Sequence, residues 1–127
     1  MAKGDFLKER AEDFLKDAKY DISEKRWNLA AFHLEQFCQF YLKYYLFKKL
    51  TDFPKTHSIK ELLIDFGNAF SIKGEISKFI KENERVIFDL EQAYLSSRYL
   101  PVEFSETQVK EMEKFCQKLI KFLKKYE

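Results

Sequence analysis

Residues 26–49 read RWNLAAFHLEQFCQFYLKYYLFKK, and this stretch decides the fold class of the chain. It contains neither glycine nor proline, and its apolar side chains fall on nearly every side of a helical projection. A helix that is apolar all round is buried on several sides. We therefore predict a central helix over residues 26–49, with the remaining elements packed around it.

Helical spacing of apolar residues continues on both sides of this stretch. Before it, Asp5 is a candidate N-cap for a helix that runs to Asp21 or a little beyond. After it, Pro54 excludes an easy continuation, and Ser58 with Glu61 has the spacing of a capping box. The further predicted segments are a helix from Ser58 to about Gly67, a shorter one over residues 71–83 that Gly74 interrupts, and one over residues 84–99.

The last helix has the clearest sequence signature. Ser105 and Gln108 have the spacing of a second capping box, with Phe104 and Val109 in the positions of a hydrophobic staple. Together these patterns predict an all-α fold, an antiparallel up-and-down helical bundle of four main helices plus a short extra helix, in a single domain over residues 1–127. In the last helix, apolar residues recur three or four positions apart, which predicts one buried apolar seam. This seam is formed by Val109, Met112, Cys116, Leu119, Leu123 and Tyr126.

Composition excludes several classes of protein. The 127 residues fit one domain, and 46% hydrophobic residues exclude intrinsic disorder. No apolar run approaches the roughly 20 residues of a membrane span, and the N-terminus has no apolar signal core. The net charge of +2 does not predict avid binding to duplex nucleic acid. We expect a cytoplasmic protein without a membrane interaction.

The sequence points to no metal or cofactor. Cys38 and Cys116 each lie among apolar neighbours, which is typical of buried core thiols. The two histidines, His33 and His57, are too few for an evident structural zinc site. A glycine-rich phosphate loop, a Gly-x-Ser-x-Gly motif and a His-Glu-x-x-His motif are all absent.

Polar residues stand out on the apolar central helix. His33, Gln36 and Lys43 have a spacing that places them on one face. Because buried polar groups are costly without partners, they must either meet other polar groups or line an accessible site. One interpretation is a polar seam between helices or a dimer contact. The other is a cleft in which the imidazole, amide and ammonium groups meet a phosphate or a base.

A second polar group lies near the end of the segment over residues 84–99. Glu91, Tyr94 and Arg98 share a helical face there, and Tyr99 follows. Arginine is well suited to bidentate phosphate contacts. The alternative is a packing pair within the helix, between Arg98 and either Glu91 or Tyr94.

Three segments resemble the HEPN domain family. WNLAAFHLEQFCQFYLKYYL looks like the second helix of these domains, KTHSIKELL resembles their Thr-His turn, and AYLSSRYLP resembles their Arg-Tyr-Pro signature. The segments keep the order and approximate spacing of the family, and the resemblance extends over residues 5–125. Leu100 departs from the signature by separating Tyr99 from Pro101.

The resemblance implies a fold, partners and a site. HEPN domains are antiparallel helical bundles that are commonly dimeric, and many act with a minimal nucleotidyltransferase as a toxin–antitoxin pair. Several are ribonucleases with an Arg-x4-6-His motif, but no histidine follows Arg98 in range, and the Arg26–His33 spacing lies elsewhere in the chain. We therefore expect a non-catalytic homodimer that binds a nucleotide or RNA and has a nucleotidyltransferase partner. The implied nucleotide-binding residues are His33, Gln36, Lys43, His57, Arg98 and Tyr99.

Two alternatives remain open at this level. A metal-independent ribonuclease would use His33 or His57 as the base and Arg26 or Arg98 as the cation. A purely structural interaction module would use the aromatic side chains, which make up 17% of the residues.

Overall fold

The computed structural model describes residues 4–96 and 101–127, and this part of the chain is all-helical, without a strand. The all-α class is therefore confirmed. The described residues form six helices, whereas the sequence predicts four main helices and one short one. The helices are α1 (Asp5–Ser23), α2 (Trp27–Leu50), α3 (Ile59–Ala69), α4 (Lys73–Glu82), α5 (Glu84–Ser96) and α6 (Glu106–Lys124). Within the described residues, no helix is long and apolar enough to cross a bilayer.

Helix α2 is the centre of the fold, as predicted. It packs against α1, α3, α5 and α6, so side chains on most of its circumference are buried. The aromatic end of this helix belongs to the core, because Tyr41, Tyr44 and Tyr45 are all buried. These rings therefore stabilise the fold itself instead of forming an exposed aromatic surface.

The predicted helix starts are correct at α6 and in part at α3. In α6, Ser105 Oγ accepts the Gln108 N–H at 3.1 Å and Gln108 Oε1 accepts the Ser105 N–H at 2.9 Å, which completes the capping box. In α3, Ser58 Oγ accepts the Glu61 N–H at 3.1 Å. The Glu61 carboxylate instead accepts a hydrogen bond from the Thr56 hydroxyl, so only half of that capping box forms.

Two local predictions are wrong at glycines. Asp5 is not the N-cap of α1, since Gly4 takes that position with a φ of 90°, a left-handed value that favours glycine. Gly74 does not interrupt α4, because it lies in the first turn of a continuous helix. The end of the segment predicted over residues 84–99 lies outside the described residues.

The α6 seam packs against the core as predicted. Val109, Met112, Cys116, Leu119 and Leu123 are buried, and Tyr126 is half-buried. The two cysteines are buried free thiols, which confirms the prediction of core cysteines.

Candidate functional site

The buried carboxyl group of Glu35 is the centre of the candidate site. Its side chain lies on α2 with no solvent exposure. Gln36 Nε2 donates to Glu35 Oε1 at 2.7 Å, and Gln39 Nε2 donates to Glu35 Oε2 at 2.5 Å. Both carboxyl oxygens are therefore held by amide donors from the same helix. We call Glu35, Gln36, Gln39 and Lys43 the Glu35 cluster.

The environment of Glu35 favours its protonated form. Burial raises the pKa of Glu35 to about 7, and the Glu91 carboxylate adds to this rise. The hydrogen bonds from Gln39 and Gln36 and the charge of Lys43 act in the opposite direction. The cluster thus holds a carboxyl group that exchanges its proton near neutral pH, a property that is enriched at functional sites.

Glu91 on α5 is close enough to raise the pKa of Glu35, and it also contacts the start of α3. Glu91 Oε2 accepts a hydrogen bond from Ser58 Oγ at 2.9 Å and from the Lys60 N–H at 3.1 Å. A carboxylate at this position satisfies a free N–H of the first helical turn and interacts favourably with the helix dipole. Glu91 therefore has a structural role at the edge of the Glu35 cluster.

The loop before α3 provides a flat aromatic surface. The rings of His57 and Tyr94 stack with their centroids 4.4 Å apart and their planes 10° apart. His57 is exposed and Tyr94 is half-buried. Thr56 accepts the Ser58 N–H at 3.1 Å, which supports the turn that presents His57. A stacked ring pair at the surface is the kind of platform that a base can extend.

Two ammonium groups lie against one ring of this loop. Lys55 Nζ is 4.0 Å from the centroid of Phe53, and Lys43 Nζ is 5.8 Å from the same centroid. Burial lowers the pKa of Lys43, the charge of Glu35 opposes this change, and the charge of Lys55 adds to it. The two cations thus repel each other, and an anion bound between them would relieve that repulsion.

His33 has a different partner from the other predicted residues of its helix. Its Nδ1 lies 2.6 Å from Oδ2 of Asp21, a buried residue at the end of α1. The imidazole also lies beside the rings of Phe14 and Phe32. Gln36 and Lys43 belong to the Glu35 cluster, whereas His33 contacts α1.

The six residues predicted to bind a nucleotide therefore separate into groups. Gln36 and Lys43 lie in the Glu35 cluster, His57 stacks on Tyr94, and His33 pairs with Asp21. Arg98 and Tyr99 lie outside the described residues. Sequence reasoning did not select Glu35, Gln39 or Lys55, although Glu35 and Gln39 show the i, i+4 spacing of side chains that meet on a helix.

The described residues contain no group of three or more His, Cys, Asp or Glu side chains that could hold a metal ion. Helix α2 offers amides and the Lys43 ammonium group, and the loop before α3 offers the Lys55 ammonium group and the stacked ring pair. Such groups form hydrogen bonds, bind anions and stack on planar rings.

The fold and these contacts define an all-helical domain with a charged and polar cluster on its central helix. The family model of the HEPN domain matches residues 5–126, so the chain belongs to the HEPN domain family. This confirms the family that the three sequence segments indicate. No curated protein and no solved structure matches the chain.

Proposed function

We propose that this HEPN domain binds a nucleotide at the Glu35 cluster without cleaving RNA, and that it acts with a minimal nucleotidyltransferase in a toxin–antitoxin-type pair. The observation that carries the binding proposal is the buried Glu35 carboxyl group, held by two amides beside the Lys43 ammonium. Burying a carboxyl group is costly. A buried carboxyl group whose pKa is raised to about 7 is the kind of group that is enriched at functional sites.

The chemistry around the cluster fits the parts of a nucleotide. Lys43 and Lys55, which share the Phe53 ring, would contact the phosphates. The ring pair of His57 and Tyr94 would stack on the base. Gln36 has a carbonyl group and a second N–H beyond its bond to Glu35, and these groups would read the edge of the base. Family position adds Arg98, Tyr99 and His33 to this set.

The proposal includes an assembly and a location. We propose an antiparallel bundle that forms a single domain, a homodimer, and a cytoplasmic location. Phe88 is 57% exposed on α5 and Ile64 is 43% exposed on α3, and we propose that these two side chains contact a partner.

Thermal unfolding with a panel of nucleoside mono-, di- and triphosphates tests the binding proposal. A ligand at about 100 times its dissociation constant should raise the free energy of unfolding by about 2.7 kcal/mol, a rise of about 10 °C in Tm. The variant Lys43→Ala should lose this shift. Lys114→Ala removes the same charge from an exposed position on α6 and should keep it. If no nucleotide stabilises the wild-type protein, the binding proposal is wrong.

The partner proposal needs a separate experiment. Co-expression of the chain with a minimal nucleotidyltransferase from the same genome should yield a complex that survives size-exclusion chromatography. A variant with Phe88→Ser and Ile64→Ser, which changes two exposed side chains, should weaken that complex or the homodimer. Two proteins that elute separately at micromolar concentrations would contradict the partner proposal.

One observation favours ribonuclease activity as a second candidate. The 2.6 Å contact between Asp21 and His33 orients an imidazole in the way a general base requires. Arg26, which begins the same helix as its N-cap residue, would supply the cation. Cleavage of RNA in the presence of a chelator, lost in His33→Ala and retained in His57→Ala, would support this candidate. A His33→Ala variant that cleaves RNA as fast as the wild type would exclude His33 as the base.

A further inference from the structure

Two cysteines that are far apart in the sequence meet in the core. Cys38 on α2 and Cys116 on α6 are separated by 78 residues, and their sulfur atoms are 3.6 Å apart. Both side chains have no solvent exposure and both are free thiols. The Cys116 sulfur also lies 3.9 Å from the Leu34 carbonyl oxygen, so it contacts α2 at two residues.

We propose that Cys38 and Cys116, which are free thiols in the reduced protein, form an intramolecular disulfide bond that fastens α2 to α6 when the protein meets an oxidant. A disulfide has an S–S distance of about 2.05 Å, so the sulfur atoms need to approach by about 1.5 Å. The proposal requires that rotation of the two side chains, together with a small adjustment of the helices, supplies this movement. The proposal is independent of the nucleotide-binding proposal, because it depends only on how α2 and α6 pack.

The reaction requires an oxidant, and a small-molecule disulfide such as oxidised glutathione is sufficient. One cysteine thiolate attacks oxidised glutathione, which forms a mixed disulfide and releases one glutathione thiolate. The second cysteine thiolate attacks the protein sulfur of the mixed disulfide and releases the second glutathione. The two cysteines thus lose two electrons and two protons in total, and oxidised glutathione becomes two molecules of reduced glutathione.

The surroundings of the pair make exchange slow in both directions. Burial raises the pKa of the Cys38 thiol, and the neighbouring Cys116 and Glu35 raise it further. Since the thiolate is the reactive form, the folded protein exchanges only when α2 and α6 separate. Once formed, the bond is shielded from reductants in the same way. An equilibrium measurement is therefore more informative than a rate of oxidation.

The test compares the thiol–disulfide equilibrium of Cys38 and Cys116 in the folded chain with that in the unfolded chain. The wild-type protein is incubated with a series of oxidised and reduced glutathione ratios, once in buffer and once in concentrated urea. Each series is run once from the reduced protein and once from the oxidised protein. Equilibrium has been reached when both reach the same fraction of disulfide. Alkylation and intact-mass measurement then give the fraction of protein that has lost two hydrogen atoms.

Folding should favour the bond. The effective concentration of the pair is the equilibrium constant for forming the Cys38–Cys116 disulfide at the expense of oxidised glutathione. It should be about 30- to 700-fold higher in buffer than in urea, which corresponds to the usual stabilisation by a disulfide. Peptide mapping should join the peptides that contain Cys38 and Cys116, and Cys116→Ser should form only mixed disulfides with glutathione. An effective concentration that is equal or lower in buffer would overturn the proposal. A product that links two chains instead of one would overturn it as well.

Discussion

Raising the pH from about 5 to about 8 should destabilise the folded domain, because the buried Glu35 carboxyl group loses its proton in this range. The pKa of Glu35 rises from its ordinary value of 4.5 to about 7 in the folded protein, mainly through burial. The folded protein thus binds this proton more tightly than the unfolded chain does. The stabilisation is complete below pH 4.5 and disappears as the pH rises through about 7.

The pKa difference sets the size of the effect. It corresponds to a loss of about 3 kcal/mol in the free energy of unfolding. This is a large share of the stability of a small domain, which is typically about 5 to 15 kcal/mol. Above about pH 7 the contribution of Glu35 should level off.

Urea unfolding followed by circular dichroism at a series of pH values measures this dependence. The variant Glu35→Gln removes the titrating group and keeps its size, so the difference between wild type and variant isolates the contribution of Glu35. Glu111→Gln changes an exposed carboxylate on α6 and should leave the profile unchanged. Parallel profiles for wild type and Glu35→Gln, or a wild type that gains stability above neutral pH, would refute the reasoning.

Three further changes test the contacts around the helices. Ser105→Ala removes the N-cap of α6 and should lower the urea unfolding free energy by about 1 kcal/mol. Glu91→Gln removes a charge that raises the pKa of Glu35, so the midpoint of the pH dependence should move to lower pH; an unchanged midpoint would contradict the coupling. Gly67→Ala places a methyl group 3.0 Å from a carbon of Ile76 and should reduce Tm, whereas Gly74→Ala faces open space and should not.

Local sequence signals were sufficient for much of the fold. The α6 capping box depends on residues three positions apart, and both of its hydrogen bonds form. The wholly apolar character of α2 predicted its central position, since no other arrangement buries so many of its side chains. The prediction of Asp5 as the N-cap of α1 is wrong because Gly4, in a left-handed conformation, occupies that position. Local spacing of residues does not indicate such a glycine.

The partners of the polar residues on α2 are harder to predict from the sequence than the position of the helix itself. When nearly every side of a helix is buried, a helical projection does not show which neighbour each polar residue meets. His33 and Gln36 are one turn apart, yet His33 pairs with Asp21 on α1 and Gln36 bonds to Glu35. The identity of these partners depends on the packing of whole helices. Glu35 itself became evident only through its lack of exposure.

Replacing Glu35 and Gln39 by apolar residues tests whether the Glu35 cluster serves binding or stabilises the fold. Replacing buried polar groups by apolar side chains of similar volume is often neutral or stabilising. If the cluster serves binding, the double variant Glu35→Leu/Gln39→Leu should be at least as stable as the wild type at about pH 8, where the wild-type carboxyl group is ionised. The same variant should lose any nucleotide-dependent increase in Tm. A loss of more than about 2 kcal/mol in unfolding free energy would instead show that the hydrogen bonds from Gln36 and Gln39 stabilise the fold, because the apolar side chains would then be replacing favourable contacts.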